Sequence, residues 1–398
     1  MYLTFLPIAR HGKVAMVDGA INCWYCFAVW CLLRGRKDRR WLLGTGLGIG
    51  LICLTKGIMM GILLGGILII FLLWDSPKLL LSPYLVVSLV LGMIPAIAWY
   101  MLQYLYYGAE FLGSSLGEQT FNRKWQPVSN VSSPPWYYLL EIAKYGLPWL
   151  IFLPKGIELA IKNLHLSWAK LALVWCGVYL LTTSLMVTKL PWYIMPIYPG
   201  LSLLIGARLA TAWERAIYPR SWKISLTVVT FICWAGSIYL GLSKQIETDI
   251  VPIVALVAIA FTIALMLLWS SSGYFILVTI VGFYLGLLLL FNSDYWLWEL
   301  NEAFPVRPIA ATIRQSTPLG QNIYTAYPYR RPSLEFYSER LIVPVEYSEL
   351  KRLWSQSEPV FLLVNRKAVE ELDFKDRIQL GINQSNEEQW LLITQSDR

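Results

Sequence analysis

Charged residues are scarce in this chain. Only 15% of its 398 residues are Asp, Glu, Lys or Arg, whereas 57% are hydrophobic. A soluble domain usually carries about 25% charged residues, so this composition excludes an ordinary soluble enzyme and indicates a polytopic membrane protein. The 19 Trp and 23 Tyr residues are typical of the aromatic belts that lie at the two membrane interfaces.

Cysteine and histidine are also few. The chain has two histidines and six cysteines, and every cysteine lies in an apolar segment, so a disulfide framework is not expected. Cys23 and Cys26 form a C-x-x-C pattern, but inside an apolar helix we interpret them as packing residues. The sequence requires no cofactor, and it leaves open whether a divalent metal ion is bound.

The positive charge is confined to the first three quarters of the chain. Residues 1–291 hold 21 Lys and Arg against 10 Asp and Glu, whereas residues 292–398 hold 12 against 15. Basic cytoplasmic loops and membrane lipids explain this excess better than nucleic acid, which we do not expect as a partner.

Apolar windows near the ~20 residues that span a bilayer predict ten transmembrane segments. They are residues 14–33, 41–55, 58–74, 79–103, 137–154, 167–187, 191–210, 224–243, 251–269 and 273–291. Five basic residues at 34–40 place the first loop in the cytoplasm by the positive-inside rule. Alternation then places loop 104–136 and the C-terminal region outside, as in a multi-pass protein of the plasma (inner) membrane.

Residues 292–398 differ in character from the rest. Short β-type runs at Asn322–Ala326, Leu341–Val345, Val360–Val364 and Trp390–Thr394 alternate with helix-compatible stretches near 305–316, 346–356 and 366–376. No Gly-rich phosphate loop or metal-ligand cluster is evident there. The predicted fold is therefore an all-α membrane bundle over 1–291, followed by a small non-cytoplasmic α/β domain over 292–398.

The first eight residues are apolar but too short to span a membrane. Arg10 and Lys13 follow this run instead of preceding it, so it is not a signal peptide. We interpret it as the second half of a helix whose beginning would lie upstream of Met1.

Asp18 is a carboxylate at the outer end of the first complete span. A charge at that depth must be paired, hydrated or functional. One interpretation is an interfacial Asp paired with Arg10 or Lys13; the other is a role in a polar active-site cavity.

Lys56 and Lys189 each interrupt an apolar run beside a helix start. Gly57 follows Lys56 and lets the chain turn, which exposes the first amides of the next helix, while Pro191 begins the helix after Lys189. An ammonium beside a helix N-terminus is typical of an anion site, here most simply for a phosphate. The alternative is a lysine that extends its ammonium to the interface.

The outer loop 104–136 is long for a connection. It carries Glu118 and Arg123 and is followed by Tyr137. We regard these three as candidates for a substrate-binding loop, although a solvated loop without such a role explains the charges equally well.

Several motifs resemble the aminoarabinose-transferase and protein O-mannosyltransferase group of membrane glycosyltransferases, of GT-C architecture. They are AMVDGA at 15–20, GIGLICLTKG at 48–57, the Pro-rich run 135–154 and KLPWYIMPIYP at 189–199. The run PSLEFY at 332–337 is similar to the tail domain of bacterial members. The order and spacing agree with the family over most of residues 1–210.

The resemblance implies transfer of a sugar from a polyprenyl-phosphate carrier to a lipid, glycan or protein acceptor on the non-cytoplasmic face. In the family, the lysine that matches Lys56 contacts the carrier phosphate, and the aspartate that matches Asp18 lies close to the catalytic centre. We therefore predict Asp18 as the catalytic residue, and Lys56, Lys189 and Arg10 as the polyprenyl-phosphate site.

One departure from the family is serious. Its principal catalytic acid lies in a first outer loop, which would precede Met1 here, so an inactive fragment of such an enzyme is one alternative. A transporter or flippase of an anionic lipid is another, but transporters usually place ionisable residues at the midplane and show repeated halves.

Overall fold

The computed structural model describes residues 1–14, 16–113, 134–242, 250–293, 306–326, 330–356, 359–372, 374, 377–384 and 389–395. The chain forms two compact units, Met1–Trp296 and Leu297–Arg398. The first is helical and the second contains a five-stranded sheet. The predicted fold class, an all-α membrane bundle followed by a small α/β region, is confirmed.

The helices of the first unit are numbered in chain order. They are α1 (Leu6–Lys13), α2 (Val17–Arg34), α3 (Leu42–Lys56), α4 (Ile58–Asp75), α5 (Pro83–Tyr107), α6 (Ala109–Leu112), α7 (Tyr137–Tyr145), α8 (Leu153–Lys162), α9 (Ser167–Leu185), α10 (Tyr198–Arg215), α11 (Arg220–Leu242), α12 (Ile250–Trp269) and α13 (Phe275–Asn292). Short 3-10 helices cover Tyr2–Thr4, Arg39–Trp41, Pro77–Leu79, Trp149–Ile151 and Pro191–Ile197.

Seven of the described helical segments are long and apolar enough to cross a membrane, and α1 with α2 would add an eighth if the two form one bent span. The seven are Ile58–Asp75, Pro83–Tyr107, Ser167–Leu185, Pro191–Arg215, Arg220–Leu242, Ile250–Trp269 and Phe275–Asn292. The protein is therefore a multi-pass membrane protein. The predicted span 41–55 is the 15-residue helix α3.

Two details of the sequence-based topology are wrong. The window 137–154 is not one continuous helix, because Gly146, Leu147 and Pro148 separate α7 from a 3-10 turn and α8, and Pro148 has no amide hydrogen to donate to a helix. Residues 1–8 are not half of a spanning helix either. Phe5 has an extended backbone between a 3-10 turn and α1, which begins with Pro7 in its first turn.

Helices α3 and α5 approach each other through glycines. A Cβ added to Gly50 would lie 1.7 Å from the carbonyl oxygen of Gly92, and one added to Gly92 would lie 2.1 Å from that of Gly46. Small residues at such positions let two membrane helices pack backbone to backbone. This crossing holds the end of α3, and hence Lys56, against α5.

A buried carboxylate ties together the opposite ends of three helices. Asp75, at the end of α4, forms an ion pair with Arg36 from the α2–α3 connection and another with Lys170 on α9 (3.3 Å). Arg36 also donates to the hydroxyl of Ser167 (2.5 Å). An aspartate is disfavoured at the negative end of a helix dipole, and the two cations offset this unfavourable position of Asp75.

We expect Asp75→Asn to lower the free energy of unfolding by about 1–3 kcal/mol, because it leaves two partly buried cations without their shared partner. Glu158→Gln is the matched control, since Glu158 also bridges two lysines, Lys155 and Lys162 (both 2.6 Å), but on an exposed surface. Its substitution should leave stability unchanged. Thermal unfolding in detergent measures both variants; equal midpoints would contradict the role of Asp75.

The second unit contains α14 (Val306–Ser316), β1 (Ile323–Thr325), α15 (Pro332–Ser338), β2 (Ile342–Pro344), α16 (Tyr347–Trp354), β3 (Phe361–Asn365), α17 (Arg366–Leu372), β4 (Arg377–Gln384) and β5 (Gln389–Gln395). The strand order is β2-β1-β3-β5-β4, with parallel pairs among the first three strands and antiparallel pairs among the last three. Apolar residues cover both faces of this sheet. Sequence analysis missed β4 and α15.

Candidate functional site

Asp18 and Lys56 form an ion pair near the ends of two helices. Asp18 lies in the first turn of α2, where a carboxylate is favoured by the helix dipole, and its side chain is 2% exposed. Lys56 is the last residue of α3, and its ammonium donates to Asp18 Oδ1. The described partner of Asp18 is thus Lys56, from a segment 38 residues away, instead of the neighbouring Arg10 or Lys13.

A sharp turn places the start of α4 directly after Lys56. Gly57 has φ of +100°, in the region that favours glycine, and it precedes Ile58, the first residue of α4. The first amides of a helix have no partner within the helix. Lys56, whose side chain is 21% exposed, therefore places an ammonium beside a helix N-terminus, which is the chemistry of an anion site.

An aromatic ring packs under the lysine. The ammonium of Lys56 lies 5.1 Å from the centre of the Tyr193 ring, within the range of a cation–π interaction. Tyr193 belongs to the 3-10 helix Pro191–Ile197. Sequence analysis missed this contact, because it joins segments more than 130 residues apart.

Side chains from other helices hold the segment that carries Tyr193. Tyr179 donates to the carbonyl of Tyr193 (2.7 Å), and Trp175 donates to that of Pro196 (2.7 Å). Tyr138 on α7 donates to the carbonyl of Leu190 (3.2 Å). Carbonyl groups outside a regular helix must find partners at membrane depth, so these three donors fix the irregular backbone beside Lys56.

His11 is a buried neighbour that sequence analysis did not assign to the site. It is 4% exposed, and its Nδ1–H donates to the carbonyl of Pro7 (2.7 Å), since a carbonyl can only accept. The imidazole interacts electrostatically with both Asp18 and Lys56. The only sequence signal for this arrangement was the spacing of His11 and Asp18, which lie seven residues apart on two consecutive helices.

The other predicted phosphate ligands are buried as well. Arg10 is 4% exposed and interacts electrostatically with Tyr145 on α7. Lys189 is 5% exposed, and its ammonium donates to the carbonyl of Met186 (2.5 Å) beyond the end of α9. Burial lowers the pKa of Lys189.

Tyr137 is the one predicted substrate-loop residue that the structure describes. It begins α7, and its ring lies 5.1 Å from that of Tyr138. One turn further along α7 lies Glu141, a carboxylate that is 5% exposed and pairs with Lys144 (3.1 Å). Glu141 was missed, although its place in an apolar run carried the same signal as Asp18. Glu118 and Arg123 lie outside the described residues.

An apolar cavity of about 310 Å³ opens beside the turn at Gly57. Ile58 at the start of α4 and Met93, Ala96, Ile97, Tyr100 and Met101 on α5 line it. The hydroxyl of Tyr100 lies 3.3 Å from the position that a Cβ on Gly57 would take. The cationic end of α3 and an apolar cavity are therefore neighbours, an arrangement that suits an amphiphile with an anionic head.

Among the described residues, no group of three or more His, Cys, Asp and Glu side chains is arranged to hold a metal ion.

The fold is a multi-helix membrane unit followed by a small C-terminal α/β unit. Two solved structures share it, both of ArnT from Cupriavidus metallidurans: one bound to undecaprenyl phosphate (TM-score 0.75, 18% identity) and one in the apo state (TM-score 0.73, 18% identity). The superpositions cover 98% and 100% of this chain, and 78% of the ArnT chain in each case.

Sequence relatives agree with this fold. The chain is 27% identical over 231 residues to the undecaprenyl phosphate-alpha-4-amino-4-deoxy-L-arabinose arabinosyl transferase 2 of Pseudomonas fluorescens, covering 56% of this chain and 39% of that protein. It is 27% identical over 222 residues to the corresponding transferase of Pseudomonas paraeruginosa, covering 54% and 40%. An uncharacterized protein of Aquifex aeolicus is 26% identical over 293 residues, covering 73% and 54%.

These comparisons confirm the resemblance to aminoarabinose transferases. The chain spans about half or less of the length of these relatives. No protein-family model matches it.

Proposed function

We propose that this chain acts as a membrane glycosyltransferase that moves a sugar from a polyprenyl-phosphate carrier to a lipid acceptor on the non-cytoplasmic face. The observation that supports this most is the pairing of a cationic helix junction at Lys56 with an apolar cavity at Ile58. The similarity to transferases named for undecaprenyl phosphate points in the same direction.

The carrier phosphate would bind at Lys56. Its ammonium offers a charge-assisted donor to the phosphate oxygens, and the first amides of α4 lie beside it. In the structure the ammonium rests between the Asp18 carboxylate and the Tyr193 ring, so it is positioned before a ligand arrives. Arg10 and Lys189 are the further cations that we propose for the phosphate and its sugar.

The first isoprene units would lie in the apolar cavity between α4 and α5. Its lining is apolar apart from tyrosine hydroxyls, and Tyr100 lies at the end next to Gly57. Burial of apolar surface supplies the affinity for such a chain at about 25 cal/mol per Å². The phosphate at Lys56 and the first isoprene units at Ile58 would then be adjacent, because only Gly57 separates the two residues.

In the transfer step an acceptor hydroxyl attacks the anomeric carbon, and the bond from that carbon to the phosphate oxygen breaks. The electron pair stays on the leaving polyprenyl phosphate, whose growing charge Lys56 stabilises. The hydroxyl proton passes to a carboxylate, for which we propose Asp18. Because Asp18 is paired with Lys56, movement of the ammonium toward the phosphate would free the carboxylate to accept that proton.

A lipid acceptor suits the position of the site better than a soluble glycan or a protein. Both Lys56 and the cavity lie at the ends of membrane helices, where a second amphiphile can approach by diffusion within the bilayer. We propose that Tyr137 and the loop residues Glu118 and Arg123 contact this acceptor or the sugar.

For the topology, we propose that residues 292–398 and loop 104–136 lie on the non-cytoplasmic side, as the basic loop at 34–40 requires. A cysteine at Gln356, an exposed position, should then react with a membrane-impermeant maleimide added to intact cells. A cysteine at Lys37 should react only after permeabilisation. The reverse pattern would contradict the orientation.

The experiment that tests the function uses the chain in proteoliposomes with a polyprenyl phosphate that carries a labelled sugar. We expect label in a lipid product, and loss of that product in Asp18→Asn, with Glu158→Gln as the matched acid-to-amide control. Movement of the donor between leaflets without any product would instead support a lipid flippase and overturn the proposal.

A further inference from the structure

The connection between α2 and α3 carries a dense patch of positive charge. Arg34, Lys37, Arg39 and Arg40 are all exposed, and Asp38 is the only acidic residue among them. The Asp38 carboxylate accepts a hydrogen bond from the backbone amide of Arg40 (3.0 Å). Over the described ranges of the chain, none of these four cations has a carboxylate partner. Arg36, the fifth basic residue, turns inward to Asp75.

Two tryptophans frame this patch. The Arg34 guanidinium lies 5.7 Å from the ring centre of Trp30 and 5.7 Å from that of Trp41, and the two rings meet edge to face at 4.8 Å. Both tryptophans are exposed, at 45% and 38%. Exposed tryptophans at helix ends lie at the headgroup level of a bilayer, so the patch is positioned in the membrane interface.

Apolar side chains continue from the patch along the helices. On α3, Leu43 and Leu47 are exposed one turn apart, and on α2 Phe27 packs against Trp30 (6.4 Å). The surface is therefore cationic at the helix ends and apolar along the helix sides. An anionic phospholipid has the complementary order, with a phosphate above two acyl chains.

We propose that the segment Trp30–Leu47 binds an anionic phospholipid of the leaflet opposite the sugar-transfer site, with the headgroup phosphate at Arg34, Arg39 and Arg40. Charge complementarity favours a lipid headgroup, because the four cations have no carboxylate partner among the described residues and Arg34 lies between two interfacial tryptophans. Each Lys or Arg near an anionic membrane surface contributes roughly fivefold to binding. This site is separate from the cluster at Lys56, at the other end of α3.

The test uses the full chain in phosphatidylcholine-containing detergent micelles to which phosphatidylglycerol is added, with bound lipid counted by native mass spectrometry. We expect Arg39→Gln/Arg40→Gln to weaken retention of phosphatidylglycerol by about ten- to thirtyfold. Arg215→Gln/Arg220→Gln removes the same charge from two exposed positions elsewhere and should leave retention unchanged. Equal loss in both double variants would show general surface attraction and overturn the proposal.

Two further experiments test the proposed lipid site. Arg34→Lys keeps the charge but loses the flat guanidinium between the two rings. We expect it to weaken phosphatidylglycerol retention severalfold. Unchanged retention would contradict a site in which Arg34 lies between the two tryptophans. Inorganic phosphate should fail to displace the lipid, whereas full displacement would indicate a free-anion site instead. Thermal unfolding without added phosphatidylglycerol should be the same for every variant, which separates lost binding from lost folding.

Discussion

Replacing Lys56 with methionine is expected to weaken the binding of undecaprenyl phosphate by about ten- to a hundredfold, the value of a charge-assisted hydrogen bond of about 1.5–3 kcal/mol. Methionine keeps the length of the side chain and removes the ammonium. Lys155→Met is the matched control, because Lys155 is a partly exposed lysine on α8 and its loss should leave affinity unchanged. Calorimetry or scintillation proximity with the purified protein measures the affinity.

This substitution also leaves Asp18 buried without its described cation, so a loss of folding must be distinguished from a loss of binding. Asp18→Asn/Lys56→Met removes both charges and should unfold at a higher temperature than Lys56→Met alone, since an unpaired buried carboxylate costs about 3 kcal/mol. The double variant should still fail to bind undecaprenyl phosphate. Wild-type affinity in the double variant would show that Lys56 does not contribute to binding.

The second large effect is expected at the crossing of α3 and α5. In Gly50→Ala the new methyl group would lie 1.7 Å from the carbonyl oxygen of Gly92, so the two helices must separate. Overpacking of this kind costs about 1–3 kcal/mol, and the cost is at the upper end here because the obstacle is backbone on a second helix. We expect a thermal midpoint several degrees lower, together with weaker carrier binding.

Gly66→Ala on α4 is the control for this prediction. A Cβ at Gly66 meets nothing within 4 Å, and alanine is the better helix former by about 1 kcal/mol. Gly66→Ala should therefore unfold at the same temperature as the unchanged protein or higher. If Gly50→Ala proved as stable as Gly66→Ala, the close contact between α3 and α5 would be refuted.

Hydropathy predicted most of the helices but not where an apolar run turns. The windows 58–74, 167–187 and 251–269 match α4, α9 and α12 closely, because a long apolar run has few alternatives to a helix in lipid. The window 137–154 is less apolar, since it contains Glu141 and Lys144, and it divides at Gly146–Pro148. A hydropathy value averaged over about 20 residues does not reveal a break of three residues.

In the C-terminal unit the strand signal was partly overlooked. Ile378, Leu380 and Ile382 alternate with polar residues, which is the period of a half-buried strand, and they lie in β4. Gly381 adjoins the register shift of this strand against β5, and such a glycine commonly marks a β-bulge. The alternating pattern was present in the sequence, whereas the shift in pairing was visible only in the structure.

The candidate site was predictable residue by residue, whereas its contacts were not. The high cost of charge at membrane depth singled out Asp18 and Lys56, and it would equally have singled out Glu141. That Asp18 faces Lys56, and that Tyr193 lies under the lysine, depends on how α2, α3 and the segment 190–197 pack. Those contacts join residues far apart in sequence, so they could not be predicted from a single sequence.

The central claim is that Lys56 and the cavity at Ile58 form one site for a polyprenyl phosphate, and photo-crosslinking tests it most directly. A prenyl phosphate with a benzophenone in its first isoprene units would be irradiated with the purified chain, and the labelled residues mapped by mass spectrometry. We predict labels within 93–101 on α5 that undecaprenyl phosphate suppresses and undecaprenol does not, and that Lys56→Met abolishes. Labelling confined to other helices, or equal suppression by undecaprenol, would contradict the account.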